Sequence, residues 1–229
     1  MPKKIIVLSL GGSLIIPDKV DVKFLKEFKK IILKNAKKYK FIIVTGGGSI
    51  ARKYINALRE IGINEKLQSM SGISATRMNA RFMMYFFNQD QTSGIPQKMA
   101  TVEKYIKQKD IIFCGALDYK PNQTSDATAA EIAQHFKTIF VNLTNVSGLH
   151  DKNPLKHKDA KFIPIISWQD FYKMTIKNKY TPGQHLVLDQ AAAETIKRHK
   201  ITTYILGKNL RNLQNLLQGK KFLGTTISN

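Results

Sequence analysis

The chain has 229 residues, of which 43% are hydrophobic, and a formal net charge of +21; it is long enough for a sizeable core and ordinary in apolar content. No apolar run approaches the roughly 20 residues of a membrane-spanning helix, and the single cysteine, Cys114, excludes an internal disulfide framework and fits a reducing cytoplasm. Lysines are scattered through KEFKK, KKYK, KYIKQK, KHKDAK and GKK with no sustained basic arm and no regular aromatic interleaving, so nothing marks a specific nucleic-acid binder.

The N-terminus, MPKKIIVLSLGGS, is basic and then apolar, but the apolar part is short and ends in glycines, so residues 4–10 read as a strand rather than a leader. Val22 to Lys37 predicts a helix, with Phe24, Leu25, Phe28, Ile31, Ile32 and Leu33 on one broad face. FIIVTGGGSIARKYI then runs from a doubly buried strand into three glycines and a helix that Ser49 could cap. Gly72 to Phe87 predicts a largely buried helix, and residues 111–114 a short strand. TSDATAAEIAQHF opens with capping residues and is alanine-rich, hence a helix. Thr138 to Leu143 predicts a strand, and SWQDF carries a capping-box-like Ser167 and Asp170. Leu188 to His199, Thr202 to Leu206 and the leucines from Leu210 predict helix, strand and helix, before a final strand near Thr225.

Alternating strands and helices predict a single α/β domain over residues 1–229 with a mainly parallel sheet covered on both faces. Ligands bind such sheets beyond the carboxyl ends of the strands. Four glycine-bearing or polar loops fall there: GGS at 11, GGGS at 46, KPNQTSD at 120 and TNVSG at 144. They place Ser13, Ser49, Arg52, Thr124, Ser125 and Asp126 at comparable positions. Backbone N–H groups, hydroxyls and a helix N-terminus together suit a polyanion. A Gly-x-Gly-x-x-Gly after the first strand, a Gly-Lys-Ser/Thr phosphate loop, zinc-ligand spacing and a Gly-x-Ser-x-Gly elbow are all missing from the sequence. Cys114 reads as a core thiol, and His150 and His185 as polar loop residues.

SLGGS, VTGGGSIARKY, GISATRMNA, PNQTSDATAAEIA, LTNVSGLHDKNP, DAKFIPIISWQDF and GTTIS occur in the order found in the amino acid kinase superfamily. The chain most closely resembles its archaeal-type uridylate kinases over nearly the full length. The resemblance implies a three-layer α/β/α sandwich and transfer of the γ-phosphoryl group of ATP, carried with Mg²⁺, to UMP in pyrimidine nucleotide synthesis. It also implies a homohexamer built as a trimer of dimers, with the helix around residues 72–87 in the dimer contact, and no metal ligand from the protein itself. By the same resemblance Gly11, Gly12 and Ser13 cradle the ATP phosphates, and Gly48 and Arg52 reach the phosphates being exchanged. Gly47, Ser69, Asn122, Gln123, Thr124 and Ser125 line UMP; Thr144, Asn145, His150 and Asn153 hold the ATP base and ribose. Asp126 is implied to organise the basic groups around the transferred phosphoryl.

The chain departs from the superfamily pattern at Ser9, where many members carry a lysine, so Arg52 and Lys161 are the expected sources of the missing charge. Asn122, Ser147 and Asn153 also differ from the relatives' residues. Two other readings stand beside the uridylate kinase. One is a superfamily kinase with acetylglutamate or isopentenyl phosphate as acceptor. The other is a nucleotide- or RNA-binding protein that has lost turnover.

Overall fold

The computed structural model describes residues 2–90, 94–120, 124–152, 154, 157–176 and 187–229. In chain order the elements are β1 (Lys4–Leu10), α1 (Gly12–Ile15), α2 (Val22–Asn35), β2 (Tyr39–Thr45), α3 (Gly48–Glu60), α4 (Glu65–Phe86), α5 (Met99–Gln108), β3 (Ile111–Cys114), α6 (Ser125–His135) and β4 (Phe140–Leu143). They continue with β5 (Leu149–His150), β6 (Phe162–Ile163), β7 (Ile165–Ser167), α7 (Trp168–Ile176), α8 (Gln190–His199), β8 (Thr203–Leu206), α9 (Leu210–Leu217) and β9 (Thr225–Ser228).

Among the described residues the main sheet runs β3-β2-β1-β4-β8-β9-β7, and β5 and β6 form a separate antiparallel ribbon. All neighbouring pairs are parallel except β8 with β9. The central strands bury every residue at their carboxyl halves instead of alternating, because helices cover both faces. This is the expected α/β/α sandwich. From β1 the chain winds outward through β2 to β3, then crosses back to β4 on the other side. The strand order therefore reverses between β1 and β4, which puts the ligand-binding crevice of such a sheet there.

Several local expectations are corrected. The GGS after β1 is not an open loop: residues 12–15 form a single helical turn, whose Gly12 carbonyl accepts from the N–H of Ile16 at 2.9 Å. Ser49 is not the cap of α3; Gly47 occupies that position, and the Ser49 hydroxyl instead donates to the Ile16 carbonyl at 3.1 Å. The helix expected from Gly72 begins earlier, at Glu65, capped by Asn64, whose side chain accepts from the N–H of Leu67. Helix α5 and the β5–β6 ribbon were not expected from the sequence at all. The Ser167–Asp170 pair forms half of a capping box: the Ser167 oxygen accepts from the N–H of Asp170 at 3.1 Å, and its hydroxyl donates to the Asp170 carboxylate at 2.8 Å.

Candidate active site

Strands β1 to β4 are parallel and adjacent, so their carboxyl ends bring the GGS, GGGS, TSD and TN segments to one edge of the sheet. The two glycine loops meet there backbone to backbone. A Cβ on Gly12 would lie 2.0 Å from the nitrogen of Gly48, and one on Gly46 would lie 2.5 Å from the nitrogen of Gly12. Gly48 has a φ of +65°, which favours glycine, and its Cβ would strike the Gly12 carbonyl oxygen. The loops are also stitched by hydrogen bonds from Gly46 N–H to the Leu10 carbonyl and from Gly11 N–H to the Leu143 carbonyl, both 2.9 Å. The pairing brings Gly11, Gly12, Ser13, Gly47 and Gly48 together, with Gly12 and Gly48 buried at the crossing and Gly11, Ser13 and Gly47 partly exposed. Gly47 differs from its neighbours, since its Cβ would meet the Ala51 side chain within α3 rather than the other loop.

The motif GISATRMNA supplies the fastenings, a role that sequence reasoning missed. Asn79, buried on α4, donates to the Gly46 carbonyl at 2.7 Å. The Thr76 hydroxyl accepts from the N–H of Ala116 at 2.9 Å, and Thr45 donates to the Thr76 carbonyl. The Arg77 guanidinium donates to the carbonyls of Ala116 and Leu117, beyond β3. Burial lowers the pKa of Arg77, opposed by the charge of Asp118. One helix therefore grips the loops after β2 and β3.

On the far side of β1, Thr124 caps α6: its side-chain oxygen accepts from the N–H groups of Asp126 and Ala127 at 3.1 and 3.4 Å. Asp126 is only partly exposed, and its Oδ1 accepts from the fully buried Ser9 hydroxyl at 2.6 Å. Burial pushes the Asp126 carboxyl up to about 7; the Ser9 hydrogen bond lowers it and the negative charge of Asp189 raises it further. Asp189, also buried, receives the Thr124 hydroxyl proton and accepts from the N–H of Ala192 at 2.9 Å, so it starts α8. Burial raises its pKa as well, against those hydrogen bonds. No described lysine or arginine is hydrogen-bonded to Asp126. Ser9 thus answers the missing strand lysine with a neutral hydroxyl, and the acid retains a proton more readily.

Arg52 lies on α3, partly exposed, with no hydrogen bond or ion pair among the described residues, and remains available to a ligand. Ser69 sits on the second turn of α4, beside Gln68, which donates to the Ile63 carbonyl. Thr144 and Asn145 follow β4 directly, with Thr144 N–H donating to the Leu206 carbonyl. His150 lies in β5 and Lys161 immediately before β6. The His150 ring meets Phe162 edge-on, and the main chain of Lys161 pairs with Asp151. Thr225 of β9 holds the ribbon, accepting from Leu149 N–H and donating to the Ile163 carbonyl. Asn122, Gln123, Asn153 and His185 lie outside the described residues. Cys114 is the core thiol expected, its pKa pushed up to about 12 by burial.

The model of the amino acid kinase family matches residues 4–207. The chain belongs to the amino acid kinase family. It is similar to the uridylate kinase of Thermoplasma volcanium, 34% identical over 97% of this chain and 96% of that one. The uridylate kinase of Thermococcus kodakarensis is 32% identical over 94% of this chain and 96% of its own length. Among solved structures, uridylate kinase from Archaeoglobus fulgidus superimposes with a TM-score of 0.83 at 31% identity, covering 97% of this chain and 99% of that chain. UMP kinase from Ureaplasma parvum, at 21% identity and a TM-score of 0.79, shares the fold.

Proposed function

We propose that this chain is a UMP kinase, transferring the γ-phosphoryl group of ATP to UMP to give UDP and ADP. The observation that carries the reading is the interlocked pair of glycine loops at the point where strand order reverses, in a chain similar to uridylate kinases over nearly its whole length. Phosphoryl transfer asks the protein for alignment and positive charge, not for covalent chemistry. The first loop and the Thr144–Asn145 segment are assigned to ATP, with His150 and Asn153 at its base and ribose. Gly47, Ser69 and residues 122–125 are assigned to UMP. Arg52 supplies the charge that Ser9 does not, with Lys161 as second candidate. No general base is required, because the attacking phosphate of UMP is already an anion.

Asp126, which no described lysine or arginine neutralises, fits a magnesium ion held mainly by nucleotide phosphates. Such an ion, bound with ATP, would neutralise charge on the transferred phosphoryl group. Leu67, Met70, Met78 and Tyr85 on α4 are exposed apolar side chains, joined by Tyr54 on α3. They support α4 as the dimer contact of a homohexamer, read here as one domain per chain. We place the enzyme in the cytoplasm, in pyrimidine nucleotide synthesis; no helix among the described residues is long and apolar enough to cross a membrane.

The test is coupled ADP release with ATP and each nucleoside monophosphate, acetylglutamate and isopentenyl phosphate. Turnover confined to UMP, or led by it, is expected. Turnover with either of the last two instead would move the chain to another acceptor. Salt-dependent RNA binding without turnover would sink the kinase reading. Sedimentation at micromolar protein tests the hexamer.

A further inference from the structure

Asp189 and Thr124 are 65 positions apart in sequence and joined by a side-chain hydrogen bond. A hydroxyl has one proton and two lone pairs. On Thr124 all three are used: the proton goes to Asp189 Oδ2, and the oxygen accepts from the N–H groups of Asp126 and Ala127. Asp189 divides its oxygens in the same way, Oδ2 toward α6 and Oδ1 to the N–H of Ala192 in α8. The chain entering Asp189 is pinned too, since buried Asn142 on β4 donates to the Val187 carbonyl at 2.6 Å. Asn142 sits beside Ser9 in the parallel register, and Ser9 holds Asp126.

We infer that Asp189 is a positioning residue for phosphoryl transfer, acting through the Thr124 hydroxyl to fix the first turn of α6 and hence the Asp126 carboxylate against β1. The inference rests on the UMP kinase reading for its consequence in turnover, but its geometry stands independently. As a proton acceptor, Asp189 dictates which way the Thr124 hydroxyl turns. With that proton engaged, the lone pairs must face the amides of α6. A residue that only capped α8 would need Oδ1 alone.

Two variants separate these roles. In Asp189→Asn, Oδ1 still caps α8, but an N–H donor now faces Thr124 and competes with the α6 amides for its oxygen. In Asp189→Ser, a good capping residue remains but is too short to reach Thr124. The measurement is amide hydrogen exchange across both helix starts, with kcat and KM for ATP and UMP on the same full-length protein. Both variants should lose protection at Asp126 and Ala127 while Ala192 stays protected. Their kcat should fall on the order of tenfold to a hundredfold, as for a misplaced reacting geometry, with KM for ATP changed by less than about threefold. Combining Asp189→Asn with Thr124→Val should be no worse than the poorer single variant, because both act on one contact. Unchanged exchange at Asp126 and Ala127, or additive losses in the double variant, would overturn the inference. A parent enzyme with no UMP-dependent turnover would defeat the functional reading instead, and the exchange data would still decide this one.

Discussion

The two sides of β1 reach the same edge of the sheet by opposite means. Toward β2, the glycine loops meet mainly through main chain, with the Ser49 hydroxyl as one added tie, and the tolerance is set by the absence of Cβ atoms at Gly12, Gly46 and Gly48. Toward β4, the corner is built from the side chains of Ser9, Thr124, Asp126 and Asp189, joined by hydrogen bonds with almost no water access to Ser9 or Asp189. The first side fixes shape, and any added atom is a collision. The second fixes proton positions, so a change of one atom's polarity can alter chemistry while leaving the fold in place. Substitutions on the two sides should therefore fail differently.

The largest effect is expected at the crossing of the loops. Gly12→Val should leave little folded protein, because rigid backbone lies 2.0 Å from the first added atom. The destabilisation should exceed the roughly 1–3 kcal/mol of ordinary overpacking. Circular dichroism on heating would show this, and a variant melting like the parent would mean the loops are free to separate. Gly47→Val is a finer probe, since its clash is with the Ala51 side chain. A folded valine variant lacking turnover would assign Gly47 to the substrate surface.

Asp126→Asn tests the other side. Asparagine has nearly the same size and can still accept from Ser9, so the melting temperature should stay within a few degrees. Turnover should drop about a hundredfold or more, in line with the loss of one preorganised electrostatic contact. Retained turnover would reduce Asp126 to a helix-start residue, worth roughly 0.3–1 kcal/mol through the helix dipole. Arg52→Ala should come next, with turnover down at least about tenfold and no change in stability, because the side chain has no intramolecular partner among the described residues to lose. Near-normal kinetics would remove Arg52 from the site.

The smallest effect concerns pH. The Asp126 carboxyl titrates near 7 in the folded chain against 3.8 ordinarily. Between those values the folded state keeps a proton that the unfolded chain has released. This group's stabilisation is therefore complete below about pH 4 and drains away as the pH rises through 7. Urea midpoints at pH 4 and pH 7.5 should differ less in Asp126→Asn than in the parent. Identical pH dependence in the two proteins would mean that Asp126 is solvated and ionised throughout.

The same contrast explains what was legible beforehand. The glycine loops announce themselves because GGS and GGGS directly follow uninterrupted apolar strands, so the signal is local. The strand bounds Lys4–Leu10 and Ile111–Cys114 were readable for the same reason. Asp189 was not, since its partner lies 65 positions away and its neighbours read only as a helix start. Thr76, Arg77 and Asn79 were visible as part of a motif, but their targets are carbonyls and an amide, which no side-chain pattern reveals. Strands β5 and β6 have two residues each, too few to display a period. Ser49 was misjudged because a serine before a helix ordinarily caps it. Here a glycine took that position, leaving the hydroxyl to tie the first loop instead.

One feature of the sheet bears on how the chain reaches this state. Strand β9 lies between β8 and β7, antiparallel to one and parallel to the other. β7 pairs with no other strand in the main sheet among the described residues, so it emerges from the ribosome long before the segment it docks on. Lys4 of β1 meets Tyr39 of β2 after 35 positions, whereas Ile165 of β7 and the helix behind it must wait 61 positions for Thr226. During synthesis that stretch is an unpaired strand with Ile165 facing solvent, a point where a nascent chain is open to wrong partners. Residues 225–228 then act as a late clasp, and their arrival, through Thr225, also seats the β5–β6 ribbon. Activity should accordingly appear in the growing chain only after that clasp is in place, even though both glycine loops were made near the beginning.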